Sequence, residues 1–302
     1  MKKLVAIVAA FLFAATALLA GENPAVKYVT KDFSYKNFDG ISVSGIVDVH
    51  LVKSNSYKVS VNLPEDVEPY LKVTVINGVL KISLESIPTR VSRILRDWHM
   101  TADVAMPELR SLEMSGATQF HCEDSFDLGD KDFKAEISGA TKVNKLDINA
   151  KDLYAQMSGA AVAAIHGDFT NAIVEMSGAS KSSLVFSADK LSMEVSGSAR
   201  PNLNGDFNDI KLEVSGAADF VWSGNAKTAS MTAGGAAKVK ASGAIVDDAK
   251  VEAVGAAKCD VNVRNRLSIQ ASGASDVRYV GYDGLMLDLV SIGRGASVSK
   301  TK

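Results

Sequence analysis

Cysteine and aromatic side chains are scarce in this chain, charge of either sign barely predominates, and long apolar runs are missing past the start. Each shortage removes a class of answer. Two cysteines, Cys122 and Cys259, do not amount to a disulfide framework. Aromatics make up 7% of the residues, so Val, Ile, Leu, Met and Ala must fill the core, and such small fillers suit a narrow coil better than a wide sandwich. The formal charge of −2 gives no support to nucleic-acid binding, which needs a basic patch or stripe. The one long uncharged run, Leu4 to Ala20, follows Lys2 and Lys3 in the order of a secretory signal peptide. We expect cleavage after Ala20 (Ala17 and a retained anchor are the alternatives). The mature chain then carries 31 basic against 35 acidic residues and no transmembrane segment. No cysteine near the cut offers a lipid attachment site.

What the chain has in abundance is a phrase. Ser-Gly-Ala or a near copy recurs through its last two thirds, with glycines at Gly116, Gly139, Gly159, Gly178, Gly197, Gly216, Gly235, Gly255, Gly273 and Gly295. The steps between them run from 18 to 23 residues, most often 19. Self-similarity at this period marks a solenoid. Around each glycine the residues four and two before it are apolar or small, as in Val174 and Met176 or Met193 and Val195, and the residue between them is polar. That alternation predicts a strand with one buried face. The glycine permits a sharp turn with positive φ. The following alanine is expected to fill a tight interior corner. A second in-out strand follows, and turn signals at Gly167-Asp168, Gly205-Asp206 and Gly224-Asn225 predict two or three short strands per coil. A leucine-rich framework is absent. The expected fold is an all-β solenoid of about 19–20 residues per coil, covering 101–302.

Residues 21–100 read as an N-terminal β segment. Ile41–Leu51 and Tyr57–Leu63 alternate apolar and polar, and Asn77-Gly78 joins Leu71–Ile76 to Val79–Leu84 as a hairpin. Ser44-Gly45 echoes the repeat phrase, so this segment is expected to form the first coil or two plus a cap. Residues 85–103, with Arg90, Arg93, Arg96, Trp98 and His99, break the pattern and predict a loop or one helical turn over the coil's edge.

The run Phe38-Asp39-Gly40-Ile41-Ser42-Val43-Ser44-Gly45, then Asp48-Val49, resembles the start of the bacterial GIN domain, the head domain of the auto-transporter adhesin type. The resemblance continues through Pro64 to Tyr70-Leu71, Asn77-Gly78, Met106-Pro107-Glu108-Leu109, Leu112 and Ser115-Gly116-Ala117. It implies a right-handed, parallel β-helix-like fold and an exported protein of gut or environmental Bacteroidetes, in the periplasm or on the outer surface. It implies no catalytic motif.

Three rows of residues invite a chemical reading. Glu175, Glu194 and Glu213 share one repeat position, so stacking would set their like charges about 5 Å apart. Ion pairing to Lys142, Lys181 and Arg200, splaying into water, or a bridging cation such as Ca²⁺ would relieve them. The serines before the glycines lack His and carboxylate partners and are expected to bond turn backbone. His50, His99, His121 and His166 lack metal-ligand spacing, and His121-Cys122 is a weak pair. No catalytic residue, cofactor or dedicated metal site is expected. If each repeat is one coil, the cysteines lie on the order of 30 Å apart and remain free thiols.

The function these observations favour is a non-catalytic cell-envelope rod, adhesin-like, offering sheet faces to a protein or surface glycan. A polysaccharide-active β-helix enzyme and a periplasmic scaffold or stress-response factor are the alternatives.

Overall fold

The computed structural model describes residues 26–94 and 98–301, so the leader over 1–20 lies outside the described residues. The chain begins with β1 (Tyr28–Phe33) and lays the first rung of a rod as β2 (Gly40–Gly45) and β3 (Val47–Lys53). It then makes an excursion through β4 (Lys58–Pro64), a 3-10 turn over Glu65–Tyr70, the hairpin β5 (Leu71–Ile76) and β6 (Val79–Leu84), a short helix α1 (Thr89–Ile94) and β7 (Met100–Met106). The rod resumes with β8 (Ser111–Gly116), β9 (Gln119–His121), β10 (Ser125–Asp127), β11 (Phe133–Ile137), β12 (Lys142–Asn149) and β13 (Asp152–Met157). Six long strands follow: β14 (Val162–Met176), β15 (Lys181–Val195), β16 (Arg200–Val214), β17 (Asp219–Ala233), β18 (Lys238–Ala253) and β19 (Lys258–Ala271). The last coil is β20 (Asp276–Gly281), β21 (Met286–Ile292) and β22 (Ser297–Lys300). No helix among the described residues is long and apolar enough to cross a membrane.

Every pairing along the rod is parallel, and the register follows the repeat: Glu175 sits beside Glu194, Met176 beside Val195, and Lys181 beside Arg200. The fold is a β-solenoid of stacked parallel coils. Its core is a set of columns, one residue per coil, such as Val174, Met193, Leu212, Met231, Val251 and Ile269. The N-terminal segment joins the same stack, since β2 pairs with β8 from Gly40–Ser111 through Gly45–Gly116. Its antiparallel pairs, β1–β4, β4–β7 and β5–β6, cover that end, while Ile87, Val91 and Trp98 pack against the core.

The glycine ladder explains why the period is so strict. The repeat glycines from Gly116 to Gly273 have φ between 69° and 86°, where an L side chain is disfavoured. Each also lies on the glycine below. A methyl on Gly139 would meet the Gly116 oxygen at 2.5 Å, and the amide of Ala140 donates to that same oxygen at 2.7 Å. Gly295 stacks on Gly273 in the same way without the positive φ.

Three details differ from expectation. The coils do not break into two or three short strands: each of β14–β19 bends as one continuous strand of 14 to 16 residues, because parallel neighbours on both sides carry the ladder through the bend. Gly167 and Gly224 permit that bend with φ of 152° and 129° rather than ending the strand. The alanine after the glycine is at the exposed turn tip, and the residue after that turns inward, as with Thr141, Ala161, Ser180 and Ala199. At two turns the inward residue supplies the hydroxyl-to-backbone bond assigned above to the serine row: Thr141 Oγ1 donates to the Ser138 carbonyl at 2.7 Å and Ser180 Oγ to the Ser177 carbonyl at 2.8 Å.

Four of the scarce aromatics are placed together. Phe169, Phe186, Phe207 and Trp222 form an edge-to-face and tilted chain along the rod, with centroids 5.4, 5.9 and 6.1 Å apart. Gly167 and Phe169 face Phe186 and Ala188, which face Gly205 and Phe207. Large and small residues thus exchange positions from coil to coil, and each ring occupies space its neighbours leave open.

A candidate binding groove on the rod

The outward rows of the strands that lead into each glycine form a shallow groove of about 800 Å³. One wall is the ladder Asp152, Asn171, Lys190, Asp209, Thr228, Asp248 and Arg266. The other is Tyr154, Ile173, Ser192, Lys211, Ser230, Lys250 and Ser268. Between them lies an inward-facing row, Ala172, Leu191, Ile210, Ala229 and Ala249, that gives an apolar floor. At one residue per coil the groove runs roughly 30 Å along the rod.

Its two ends differ chemically. Tyr154 and Ile173, 41% and 42% exposed, make the early end apolar. Lys190, on the third of the seven coils, and Lys250 and Arg266, on the last two, have no ion pair or side-chain hydrogen bond among the described residues. Two of the three wall carboxylates are already engaged: Asp152 accepts from Asn171 Nδ2 at 2.7 Å and Asp209 accepts from the Thr228 hydroxyl. Lys211 is held by Glu213 at 2.7 Å. Free cations on a firm backbone suit an extended ligand with anionic groups.

The glutamate row is where the repeat places it, with Glu113, Glu136, Gln156, Glu175, Glu194 and Glu213 in ladder order. The ion pairs to Lys142, Lys181 and Arg200 do not form, since those residues lie beyond the turn on the other face. Instead Gln156 Nε2 donates to Glu175 at 2.8 Å, and lysines two residues upstream on the same strands, Lys134 and Lys211, hold Glu136 and Glu213. The paired carboxylates hold the ammonium groups of Lys134 and Lys211 above their ordinary pKa through hydrogen bonding first and charge second. Among the described residues no group of three His, Cys, Asp or Glu is disposed to hold a metal ion.

The histidines show what sequence spacing hides. His50 and His121, far apart in the chain, become ladder neighbours through β3 and β9, with rings 5.3 Å apart. Asp103 lies 3.2 Å from His50 Nδ1, and Asn144 is 2.8 Å from His121 Nδ1. Cys122 points the other way, into the core, so the adjacent pair His121-Cys122 forms no site. Both cysteines are free and buried. Burial pushes the Cys122 thiol up to about 11 and the Cys259 thiol up to about 12. Cys259 occupies the column of Val239 and Val277, as its place in the repeat indicates.

Parallel coils, a glycine-stacked turn and a long open groove define a β-solenoid with an exposed sheet face. The model of the family described as "Putative auto-transporter adhesin, head GIN domain" matches residues 37–185 and 177–282, and the chain belongs to this family. Among solved structures it is similar to a "putative adhesin" from Parabacteroides distasonis, at 19% identity and TM-score 0.49 over 92% of this chain and 98% of that one. A "putative adhesin" from Parabacteroides merdae aligns at 18% identity and TM-score 0.49 over 91% and 97%. A "putative lipid binding protein" from P. distasonis aligns at 17% identity and TM-score 0.44 over 91% and 97%. No match was found among curated proteins.

Proposed function

We propose that this protein is an exported, non-catalytic, adhesin-like rod of the cell envelope that binds an extended surface glycan along its groove. The observation that carries the reading is the row of unpaired cations Lys190, Lys250 and Arg266 beside an apolar floor, on a surface of continuous strands. An extended polymer with spaced carboxylate or sulfate groups would meet Lys190 at one point and the neighbouring Lys250 and Arg266 three and four coils further along, about 15–20 Å, a longer reach than one compact ligand has. Membership of an adhesin head family and the signal-like leader support export and a binding role.

The test is binding of the purified protein to immobilised acidic and neutral polysaccharides. Acidic glycans are expected to bind with an affinity that falls as salt rises, and Lys250→Glu with Arg266→Glu to weaken binding at least about tenfold while leaving the melting curve in place. Equal binding of neutral glycans, or indifference to the double substitution, would remove the groove from the reading. Cleavage of any bound glycan would turn it toward the polysaccharide-active alternative.

A further inference from the structure

The strand register sets four polar side chains in one outward row: Asp103 on β7, His50 on β3, His121 on β9 and Asn144 on β12. Their neighbours along each strand, Val49 and Leu51, Phe120 and Cys122, Ala102 and Val104, are buried, so alternation turns the row away from the core. The two imidazoles stand in the middle of the row on adjacent strands, with their planes at 51°. Each is held from outside through Nδ1. Asp103 Oδ1 lies 3.2 Å from His50 Nδ1. An ionised carboxylate only accepts, so in the neutral ring Nδ1 carries the proton and Nε2 keeps a bare lone pair. Asn144 Nδ2 lies 2.8 Å from His121 Nδ1. The same amide turned over offers its oxygen there, which puts the proton on Nδ1 and bares the second Nε2. Neither Nε2 has a partner among the described residues. An imidazole braced through one nitrogen by a carboxylate or carbonyl, with the other nitrogen free, is what a metal-binding histidine requires.

We propose that His50 and His121 together form a surface site for one divalent transition-metal ion of the imidazole-favouring kind, Cu²⁺, Zn²⁺ or Ni²⁺, bound through the two Nε2 atoms. Their backbones are neighbours in a parallel ladder, about 4.8 Å apart, and side-chain rotation brings both nitrogens to the roughly 2.0–2.1 Å that a metal–imidazole bond needs. No third His, Cys, Asp or Glu among the described residues joins them, so water fills the remaining positions. Ca²⁺ and Mg²⁺, which require several oxygen ligands, are not served by such a pair. Asp103 is a positioning residue: it fixes the proton and the orientation of His50 without touching the ion. His166 shows what sets the pair apart. Asp147 lies 3.2 Å from its Nδ1, the same support, but no second imidazole stands beside it among the described residues. The ion ties β3, in the first rung, to β9 across the excursion over β4–β7, and the site is independent of what the groove binds.

Isothermal titration of the purified protein, free of affinity histidines and stripped with EDTA, tests the proposal with Cu²⁺, Zn²⁺ and Ni²⁺ in turn, against Ca²⁺ and Mg²⁺. One transition-metal ion per chain is the expected result. His50→Gln and His121→Gln are each expected to raise its dissociation constant more than about tenfold, and Asp103→Asn by about tenfold to a hundredfold, while His166→Gln leaves it unchanged. Electron paramagnetic resonance of the Cu²⁺ complex separates the roles: two coordinated imidazole nitrogens in the parent and in Asp103→Asn, one in either pair variant. His50 and Asp103 are 49% and 39% exposed at the side chain, so metal-free circular dichroism melts of their variants should coincide with that of the parent. Added metal should raise the melting temperature of the parent and not of His50→Gln or His121→Gln. Absence of binding, a dissociation constant indifferent to both pair substitutions, an equal loss in His166→Gln, or Ca²⁺ bound as tightly as Zn²⁺ would overturn the inference.

Discussion

Gly197 lies so close to Gly178 in the coil below that a methyl group on Gly197 would sit 2.7 Å from the Gly178 carbonyl oxygen and 3.0 Å from its nitrogen. Its φ of 70° adds a conformational penalty for any L side chain. The obstacle is backbone on both counts, so nothing can swing aside.

Gly197→Ala is therefore expected to destabilise the protein by about 3 kcal/mol, of which the left-handed backbone alone accounts for 1–2. Gly234 is the control, since a Cβ there meets nothing within 4 Å and its backbone is not in the left-handed region. Gly234→Ala should change stability by less than about 1 kcal/mol. Urea midpoints of the two variants, measured side by side, check the contrast. Equal shifts would mean that the ladder is not what fixes the turn.

Phe186 stands between Phe169 and Phe207 and is 3% exposed. Phe186→Ala should cost about 3–5 kcal/mol, because Gly167 and Gly205 on either side have no side chain to fill the cavity. The paired change that moves the ring back, Phe186→Ala with Ala188→Phe, should not recover it, since Phe169 and Phe207 already occupy that column. Thermal unfolding of the single and double variants decides the point.

Much of this architecture is legible before folding because it is local and periodic. A glycine every nineteen residues with in-out neighbours fixes the strand face, the turn and the stacking partner of Glu194 or Cys259 alike. The aromatic chain was also legible in principle: Gly167-x-Phe169, Phe186-x-Ala188 and Gly205-x-Phe207 exchange large and small at fixed offsets. The groove was not. Its walls are ordinary outward rows two residues apart on the same strand segment, a pattern that every half-buried strand shares. The neighbouring histidines His50 and His121 were hidden for a different reason, since the excursion over β4–β7 separates them in sequence while leaving the rungs adjacent. Midway glycines misled because a turn signal is only a statement of backbone freedom, and two parallel neighbours can hold such a residue inside a strand.

The buried thiols give a pH signature. Cys122 and Cys259 titrate at about 11 and about 12 in the fold, chiefly because burial disfavours the thiolate. An unfolded thiol titrates near 8.5. The folded pKa is the higher one, so the contribution is complete below about pH 8.5 and is lost as pH climbs toward the folded values. The denaturant midpoint should fall across that window, and Cys259→Ala should flatten the fall. At pH 8 both thiols of the folded protein should react with a thiol reagent more than about a hundredfold more slowly than in urea. Rapid labelling of either one without denaturant would contradict its burial.

Glu194 supplies the last expectation. It stacks between Glu175 and Glu213, and of the three it alone lacks a hydrogen bond or ion pair among the described residues. Gln156 serves Glu175 and Lys211 serves Glu213, which leaves the middle carboxylate facing two like charges. Glu194→Gln removes the repulsion on both sides and retains the length and polarity of the side chain. It should raise stability by about 0.2–1 kcal/mol at low salt, with a smaller gain at high salt. A bridging cation reverses the sign, because the substitution would then delete a ligand and Ca²⁺ would raise the melting point of the parent but not of the variant. Melting curves of both proteins, with and without Ca²⁺ at two salt concentrations, separate the two. With Gln156 and Lys211 already in place as partners, the stabilising direction is the expected one.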